Sequence, residues 1–419
     1  MTAMQCELVV IGAGAAGLVA SFRAAELGCA TLLLEKNKQP GVKILMSGGT
    51  RCNLTQNTDN RGIVQAYGPP GRFLHSPLAS LSVQATIALF EAEGVLTKIE
   101  ETGKIFPASD KASHVLAALV ARLQRSGATL ALSEGVHKIE RAVLASGAAG
   151  FRLETTQREV QAARLILTTG GQSFPGSGTT GDGYRFAAEL GHTIIPPRPA
   201  LVPLTTTAPW VLDLRGVTLP DVTLSVKEGT RLLASRRSSL LFAHFGLTGP
   251  AALDVSRVVS GHPQPATLTA EIDLLPEERE SSLLDWLAEE TIHSGKKQLA
   301  IVVAQRIPRR LAEIVLESAG IPAERKLAEL SKGERARLAR ALKQLALPLT
   351  GTLGFKKAEV TAGGIDLKEV DSSTMQSKLV PGLYFAGEVL DLDGPIGGYN
   401  FQAAWSTGWL AGTIAAGRG

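Results

Sequence analysis

The sequence predicts an α/β chain in which a Rossmann-like nucleotide-binding domain is interrupted by a β-rich insert and a helical cap. Three observations lead to this prediction. Residues 1–195 alternate apolar strands with helical stretches, residues 196–275 carry a proline-rich joint and short alternating runs, and residues 276–350 carry apolar residues at three- and four-residue spacing. Because α/β patterning returns in 351–419, we predict a discontinuous domain made of 1–195 and 351–419.

The first strand, helix and second strand form a dinucleotide-binding unit. Glu7–Glu35 is one complete β-α-β unit with the fingerprint Gly12-x-Gly14-x-x-Gly17 at its first turn and an acid closing its second strand. The first glycine permits the tight turn, the second lets a pyrophosphate approach the backbone, and the third lets helix and strand pack closely. Glu35 would then accept hydrogen bonds from ribose hydroxyls.

Composition places the chain among ordinary globular proteins. The 419 residues are 20% charged and 44% hydrophobic, with a net charge of +4. The apolar run after Glu7 has no basic flank and is broken by glycines, so we expect a cytoplasmic protein without a membrane segment. Cys6, Cys29 and Cys52 form no C-x-x-C pair, so we predict no metal site. The missing pair also argues against disulfide reductase chemistry, which needs two thiols within bonding reach.

The predicted cap helices are basic. We interpret this as a solvated helix face, and an RNA-facing surface is the alternative, against which the scarcity of aromatic residues counts. Nucleic acid is therefore not the partner we favour, and a small-molecule substrate is. The basic residues concerned are Lys296, Lys297, Arg306, Arg309, Arg310, Arg335, Arg337 and Arg340.

Two further loops in the first 195 residues suit a cofactor. Ser47–Asn53 concentrates backbone and side-chain donors beside the fingerprint, and its thiol, Cys52, is more simply a packed residue than a redox group. Thr168–Ser173 follows a strand. The later Gly176–Gly181 also matches GxGxxG, but Pro175 and other residues separate it from the strand and no β-α-β unit follows, so we interpret it as a loop lining the first site. With one dinucleotide fold, the chain must admit any nicotinamide by another route.

The C-terminal segment predicts a second anion-binding element. A strand leads to Gly387-Glu388, an acidic loop, and then a helix that begins at Gly397-Gly398. Such a helix presents free N–H groups and the positive end of its dipole to an anion, and the reduced edge of a flavin is an anion of this kind. Glu388 would hold the ribityl or phosphate side.

These motifs carry a family resemblance. GVKILMSGGTRCNLT, TTGGQSFPGSGTTGDGY, LLFAHFGLTGPAALDVS and GLYFAGEVLDLDGPIGGYNFQAAWSTG resemble the YhiN/BaiN-like flavoproteins, NAD(P)/FAD-dependent oxidoreductases with a glutathione-reductase-type FAD fold. The resemblance spans nearly the whole chain and implies FAD held by both chain ends, with hydride delivery to a conjugated C=C bond in some members. One departure is Thr50, where many relatives have glycine or asparagine.

The resemblance also implies residue roles. The fingerprint glycines and Glu35 would contact the ADP half, Val136 would meet adenine through its backbone, and Arg51, Gly171, Asp182, Glu388 and 398–401 would line the flavin. The full set that we predict to bind the cofactor is Gly12, Ala13, Gly14, Ala15, Ala16, Gly17, Glu35, Lys36, Ser47, Gly48, Gly49, Arg51, Cys52, Asn53, Val136, Thr169, Gly170, Gly171, Asp182, Gly387, Glu388, Gly397, Gly398, Tyr399, Asn400 and Phe401.

The main functional hypothesis is an FAD-dependent oxidoreductase that takes hydride from NAD(P)H and reduces an unsaturated or carbonyl small molecule. One alternative is an oxidase of a small amine that passes electrons to O₂. The other is a flavin-bearing protein that binds or modifies RNA. Candidates for the catalytic acid are Tyr399, Asp391, Asp393 and His244, and the sequence does not choose among them.

Overall fold

The computed structural model describes residues 4–417, whose strands and helices are connected by turns and loops. The strands are β1 (Met4–Ile11), β2 (Thr31–Leu34), β3 (Thr55–Gln56), β4 (Thr97–Ile99), β5 (Lys104–Pro107), β6 (Thr129–Ala131), β7 (Val136–Val143), β8 (Ala149–Thr155), β9 (Glu159–Leu167), β10 (Ile194–Ala200), β11 (Leu204–Thr205), β12 (Thr218–Glu228), β13 (Arg231–Ala243), β14 (Gly246–Thr248), β15 (Leu268–Asp273), β16 (Leu345–Pro348), β17 (Gly351–Thr352), β18 (Val360–Ile365) and β19 (Leu383–Phe385).

The described residues also form α-helices. They are α1 (Ala15–Glu26), α2 (Val42–Met46), α3 (Asn60–Ala66), α4 (His75–Ser80), α5 (Val83–Ala92), α6 (Ala112–Ser126), α7 (Asp182–Glu189), α8 (Pro250–Ser260), α9 (Glu280–Ser294), α10 (Leu299–Val303), α11 (Arg309–Ser318), α12 (Lys332–Lys343) and α13 (Tyr399–Ala415).

The described chain divides into two compact units. The first contains residues up to Pro199 and from Glu359 onwards, and the second is Ala200–Ala358. The first unit is therefore discontinuous in sequence.

A mixed sheet organises the first unit. Its strands lie in the order β6-β2-β1-β9-β8-β7, and β19 also pairs with β9. The pairs β6–β2, β2–β1, β1–β9 and β9–β19 are parallel, whereas β7, β8 and β9 pair antiparallel. The parallel strands β2 and β19 are fully buried, which explains their continuous apolar runs. This is the mixed α/β fold with a Rossmann-type core that the sequence predicts.

The two chain ends of the first unit are joined by the packing of α1 against α13. A Cβ added to Gly408 would lie 2.4 Å from the Ala16 carbonyl oxygen, and one added to Gly412 would lie 2.3 Å from that of Ala20. Small residues on both helices thus permit a close crossing. This packing fixes the N-terminus of α13 relative to the fingerprint that begins α1.

The second unit is an antiparallel sheet with helices that share one hydrophobic core. The strand order is β16-β15-β12-β13-β14-β11-β17, and the core joins Leu224 and Ile272 of the sheet to Leu287, Leu316 and Leu338 of the helices. Residues of the predicted insert and of the predicted cap therefore pack in one unit.

One part of the predicted cap is a strand, not a helix. The apolar spacing suggested that the helical pattern runs to about residue 348, but α12 ends at Lys343 and β16 pairs with β15. Leu345 and Leu347 are buried while Ala346 and Pro348 are exposed. Leu345 follows Leu342 by three residues, which continues the helical spacing, whereas the two-residue spacing of Leu345 and Leu347 is that of a strand. Pairing with β15 selects the strand.

The described residues contain neither a single membrane-spanning helix nor a cluster of metal ligands. Between residues 4 and 417 no single helix is long and apolar enough to cross a membrane, although a pair bent by 44°, Pro69–Ser80 with Val83–Ala92, passes on length and composition. The same residues contain no group of three or more His, Cys, Asp or Glu that could hold a metal ion.

Candidate flavin site

The predicted cofactor segments meet at one edge of the parallel strands of the first unit. Gly12 follows β1, Glu35 follows β2, Thr168 follows β9 and Ala386 follows β19. The carboxyl ends of parallel strands share one edge, which is where α/β proteins bind their ligands. Backbone bonds tie these ends together, since Gly12 N donates to the Leu34 oxygen over 2.8 Å.

The fingerprint glycines have distinct geometries. Gly12 has φ +99°, and a Cβ there would lie 2.7 Å from the Thr168 oxygen. A Cβ on Gly17 would lie 1.9 Å from the Gly12 oxygen, so this position sets the contact between helix and strand. A Cβ on Gly14 meets no heavy atom within 4 Å. The backbone of Gly14 therefore borders open space at the start of α1, a helix with no side-chain cap and no acid in its first turn.

Glu35 is buried and already holds backbone donors. Its Oε2 accepts from Ala13 N over 2.8 Å and its Oε1 accepts from Asn37 N over 2.8 Å. Each carboxylate oxygen has a further lone pair that can accept a hydrogen bond from a ribose hydroxyl. Contact with a ribose stays a prediction. The neighbouring Lys36 pairs with Asp182 over 2.6 Å and donates to Thr180, which joins the end of β2 to the start of α7.

The Ser47–Asn53 loop has an unusual backbone. Gly48, Gly49, Thr50 and Cys52 all have positive φ values, of 55°, 67°, 70° and 63°. Left-handed conformation is costly for a β-branched residue such as threonine. The loop is thus held in a strained shape by its surroundings.

Two side chains of this loop have partners inside the first unit. Arg51 lies 2.6 Å from Glu100 and 3.5 Å from Asp110, and its guanidinium lies 3.9 Å from the centroid of the Phe106 ring. Cys52 is fully buried, and burial raises the pKa of its thiol to about 12. Because a neutral thiol is a poor nucleophile, the geometry agrees with a packed role for Cys52.

Glu388 is the centre of a network that sequence reasoning missed. Its Oε2 lies 2.5 Å from Lys43 Nζ, and its Oε1 accepts from Ser173 Oγ and Thr361 N, each over 2.8 Å. Lys43 also donates to Ser173 Oγ over 2.7 Å. One carboxylate therefore joins α2, the loop after β9 and the start of β18. Lys43 lies within the motif quoted above, but nothing in the sequence places it opposite an acid 345 residues away.

The start of α13 forms the other side of the predicted site. Its N-cap, Gly398, has φ +93°, and a Cβ there would lie 2.6 Å from the Thr55 carbonyl. The buried Tyr67 hydroxyl donates to the Tyr399 oxygen over 3.0 Å, and Asn400 Oδ1 accepts from Gly394 N over 2.8 Å. Burial, with the nearby Asp393 and Glu388 carboxylates, raises the pKa of Tyr67 well above its ordinary value. Tyr67 therefore stays protonated and holds the loop shape.

The residues present fit a flavin dinucleotide. The helices α1 and α13 both begin at a glycine without a side-chain cap or an acid in the first turn, so their N–H groups are available to anionic groups. Among residues 4–417, two buried side-chain oxygens in the predicted cofactor loops have no hydrogen-bond partner, Thr169 Oγ1 and Asn53 Oδ1. Buried polar atoms are normally satisfied, and a bound ligand is a physical reason for such orphans.

The remaining predicted residues are placed as follows. Thr169, Gly170 and Gly171 follow β9, and Gly387 follows β19, with its N–H donating to Thr407 Oγ1 over 3.0 Å. Val136 begins β7 and is half-buried. These positions all lie in the first unit. The full set is thus gathered in one unit, and its contact with a cofactor stays a prediction.

The four candidate acids do not form one cluster in a single unit. Asp391 Oδ1 accepts from Gly363 N over 3.1 Å, Asp393 is buried, and Tyr399 is the first residue of α13. His244 belongs to the second unit, where it is exposed and its ring lies edge-on to Phe245 at 5.0 Å. The first three lie in the segment 391–399, which follows β19 in the first unit.

Comparison with known proteins decides the family. The model of the HI0933-like protein Rossmann domain matches residues 6–414. The chain belongs to this family. This confirms the resemblance found in the sequence, and the chain is an FAD-binding oxidoreductase.

The relatives of this HI0933-like protein have more than one name. Two proteins named ribosomal RNA dihydrouridine synthase, from Escherichia coli K12 and Haemophilus influenzae, are 35% and 36% identical, with 96% of both chains covered in each case. The 3-dehydro-bile acid delta(4,6)-reductase of Clostridium scindens is 32% identical over 98% of both chains. A solved structure, 3-ketosteroid-delta4-(5alpha)-dehydrogenase from Rhodococcus jostii RHA1, is similar in fold, with a TM-score of 0.50, 16% identity and coverage of 99% and 97%.

Proposed function

We propose that this flavoprotein reduces a carbon–carbon double bond conjugated to a carbonyl group, and that its substrate is a uracil base of ribosomal RNA. The observation that carries the proposal is the likeness to two relatives named ribosomal RNA dihydrouridine synthase along nearly the whole chain. The third relative is named for the reduction of a 3-dehydro-bile acid. Both names describe the reduction of a carbon–carbon double bond conjugated to a carbonyl group. C5=C6 of uracil is conjugated to C4=O, and a Δ4 bond is conjugated to a 3-oxo group.

The residues that would hold FAD are those of the sheet edge described above. Gly12–Gly17 with the start of α1 would face the pyrophosphate, and the start of α13 would face the flavin edge. The side-chain oxygens of Thr169 and Asn53, which have no partner among the described residues, would form hydrogen bonds with the cofactor. When bound and reduced, FAD supplies a hydride to the acceptor bond. We propose NAD(P)H as the transient electron donor.

The protein must supply the remaining proton. Addition of hydride to C6 of uracil places negative charge on C5 and O4, and a proton at C5 completes the saturated bond. We assign this proton to one of Tyr399, Asp391, Asp393 and His244. Of these, Asp393 is buried beside the protonated Tyr67, whose pKa its charge helps to raise. A proton donor must lie within hydrogen-bond reach of the atom that it protonates, so position decides among these four residues before residue type does.

A direct assay tests the proposal. Purified protein is reduced anaerobically with NADH or NADPH while its flavin band near about 450 nm is followed, since bleaching reports hydride transfer to the cofactor. Reduced protein is then mixed with ribosomal RNA transcribed in vitro, and dihydrouridine is measured by mass spectrometry of the digested nucleosides. We expect dihydrouridine in the wild type and none in a variant that has lost FAD.

Two parallel arms separate the alternatives. A 3-oxo-Δ4,6 steroid replaces the RNA in one arm, and O₂ replaces any organic acceptor in the other. Reduction of the steroid but not of the RNA would rule out RNA as the substrate and would support the reduction of a conjugated carbon–carbon double bond. Peroxide formed in step with the oxidation of a small amine, without reduction of either acceptor, would reject the reductase and favour the oxidase.

A further inference from the structure

The positive charge of this chain is concentrated in one segment. Residues 296–357 contain 14 Lys and Arg against 5 Asp and Glu, whereas the whole chain has 43 and 39. The segment therefore has a formal charge of +9 in a chain of +4, and the remaining residues are net acidic. An excess of one sign on this scale attracts polyanions.

Several of these cations are engaged within the second unit. Arg306 pairs with Glu278 and lies 4.7 Å above the Trp286 ring, and Lys343 pairs with Asp273 over 2.7 Å. The other engaged cations, each with a carboxylate or a backbone carbonyl as partner, are Arg309 with Glu313, Arg310 with Asp213, Arg325 with Glu334, and Arg337 with Ala319. These side chains stabilise the fold and are less available to a partner.

Three exposed lysines differ from them. Within residues 4–417, Lys296, Lys297 and Lys326 take part in no ion pair and are exposed, as are Lys332, Arg340, Lys356 and Lys357, but only the first three lie at a bridge between two backbone segments. The acids nearby in sequence are Glu324 and Glu329, and the latter accepts from the Lys326 backbone N–H over 3.3 Å. The three ammonium groups thus have no fixed counter-charge.

The backbone brings these lysines together from two segments. Gln298 and Lys326 form an antiparallel bridge, in which Leu299 N donates to the Arg325 oxygen over 2.8 Å and Leu327 N donates to the Lys297 oxygen over 3.1 Å. Lys326 is paired with Gln298 across this bridge, so Lys296 is its diagonal neighbour, at about 7 Å, and Lys297 lies between Lys296 and Gln298 in the chain. This spacing is close to that of successive phosphates along one nucleic acid strand, so a phosphodiester chain can neutralise several of them together.

We propose that Lys296, Lys297 and Lys326, here called the Lys296 patch, bind the phosphate backbone of the RNA substrate. This inference rests on the proposed function. No aromatic residue occurs in 295–299 or 325–328, so the patch offers no stacking platform for bases. It would position the RNA and add affinity without reading its sequence.

Binding as a function of salt tests the patch. FAD-loaded wild type and the variant K296A/K297A/K326A are titrated with a ribosomal RNA fragment at several salt concentrations. We expect the slope of log affinity against log salt to fall by about 2 to 3 in the variant, because each phosphate contact releases counterions. The charge-matched control R61A/R141A/K368A removes three exposed cations of the first unit and should keep the wild-type slope. Equal melting temperatures and flavin content establish that both variants are folded.

The outcomes separate this inference from the proposed function. If the wild type makes dihydrouridine and the patch variant binds RNA with wild-type affinity and slope, the patch is wrong and the function stands. If the patch variant loses RNA affinity but the wild type makes no dihydrouridine, the function is wrong and the patch stands. A wild type that does not bind RNA at low salt, or that prefers anionic phosphatidylserine vesicles to RNA, overturns the patch as an RNA site.

Discussion

Lys43 Nζ lies 2.5 Å from Glu388 Oε2, and this ion pair joins the short helix α2 to the turn after β19. The sequence suggested that Glu388 holds the ribityl or phosphate side of the cofactor. The structure gives this carboxylate three partners of its own, Lys43, Ser173 and Thr361. We therefore interpret it as a residue that positions the loops on the flavin side.

The first prediction tests this positioning role. Lys43→Met and Glu388→Gln should each weaken FAD binding about tenfold, which corresponds to about 1.4 kcal/mol. The double variant should lose little more than either single variant, because both substitutions remove the same interaction. Affinity is measured by titrating apoprotein with FAD and following flavin fluorescence. Glu101→Gln, an exposed acid of the same unit, is the matched control. Additive losses in the double variant would contradict the shared role.

The second prediction separates two glycines of the fingerprint. Gly14→Ser should leave the apoprotein stable, since a side chain there meets no heavy atom within 4 Å and serine is a favoured N-cap residue. It should nevertheless lower FAD affinity at least about tenfold, because the side chain occupies the space of the pyrophosphate. Gly17→Ala should instead destabilise the fold by about 3 kcal/mol, since its Cβ would lie 1.9 Å from the Gly12 oxygen.

Thermal unfolding of the apoproteins and FAD titration check this pair. The expected pattern is loss of affinity without loss of stability for the first variant, and loss of stability for the second. Full flavin content in Gly14→Ser protein would show that the open space beside α1 is not the cofactor site.

Local patterns in the sequence predicted the nucleotide fold well, and long-range contacts account for what they missed. The strands β1 and β2 and the turn from β1 into α1 are set by residues close in sequence, so periodicity and glycine spacing suffice. The partners of Lys43 and Arg51 come from segments distant in the chain, and no local signal encodes them. The strand β16 was missed because Leu345 also continues the three-residue spacing from Leu342, and the pairing with β15 that selects a strand cannot be seen in the sequence.

The third prediction concerns strain in the Ser47–Asn53 loop. Thr50 has φ +70°, a conformation that costs a β-branched residue about 1 to 2 kcal/mol. Thr50→Gly should therefore be more stable than Thr50→Ala by about 1 kcal/mol, the reverse of the usual order of these residues. Urea unfolding of both variants measures the difference. An alanine variant as stable as the glycine variant would mean that the loop relaxes and stores no strain at this position.

The fourth prediction is a pH dependence that comes from one buried histidine. His192 Nδ1 lies 3.0 Å from Glu369 Oε2, its Nε2 lies 2.9 Å from Ser377 Oγ, and Phe385 packs edge-on to its ring. Burial lowers the pKa of His192, although the Glu369 carboxylate opposes this shift. Below a pH of about 6.5 the unfolded chain therefore binds a proton at this site more readily than the folded one.

Stability should accordingly fall as the pH drops from about 7.5 to 5.5, because the unfolded chain takes up a proton at His192 that the folded chain resists. Glu369 has a lowered pKa, so its protonation reduces stability only below a pH of about 4.5. Glu369 therefore does not contribute to the change in stability between pH 7.5 and 5.5. Urea unfolding is measured at both pH values, and the release of FAD is the signal that the first unit has unfolded. His192→Gln should be less stable at pH 7.5 but less sensitive to pH, whereas the exposed His137→Gln should keep the wild-type dependence. Equal pH dependence in the wild type and His192→Gln would assign the effect to other groups.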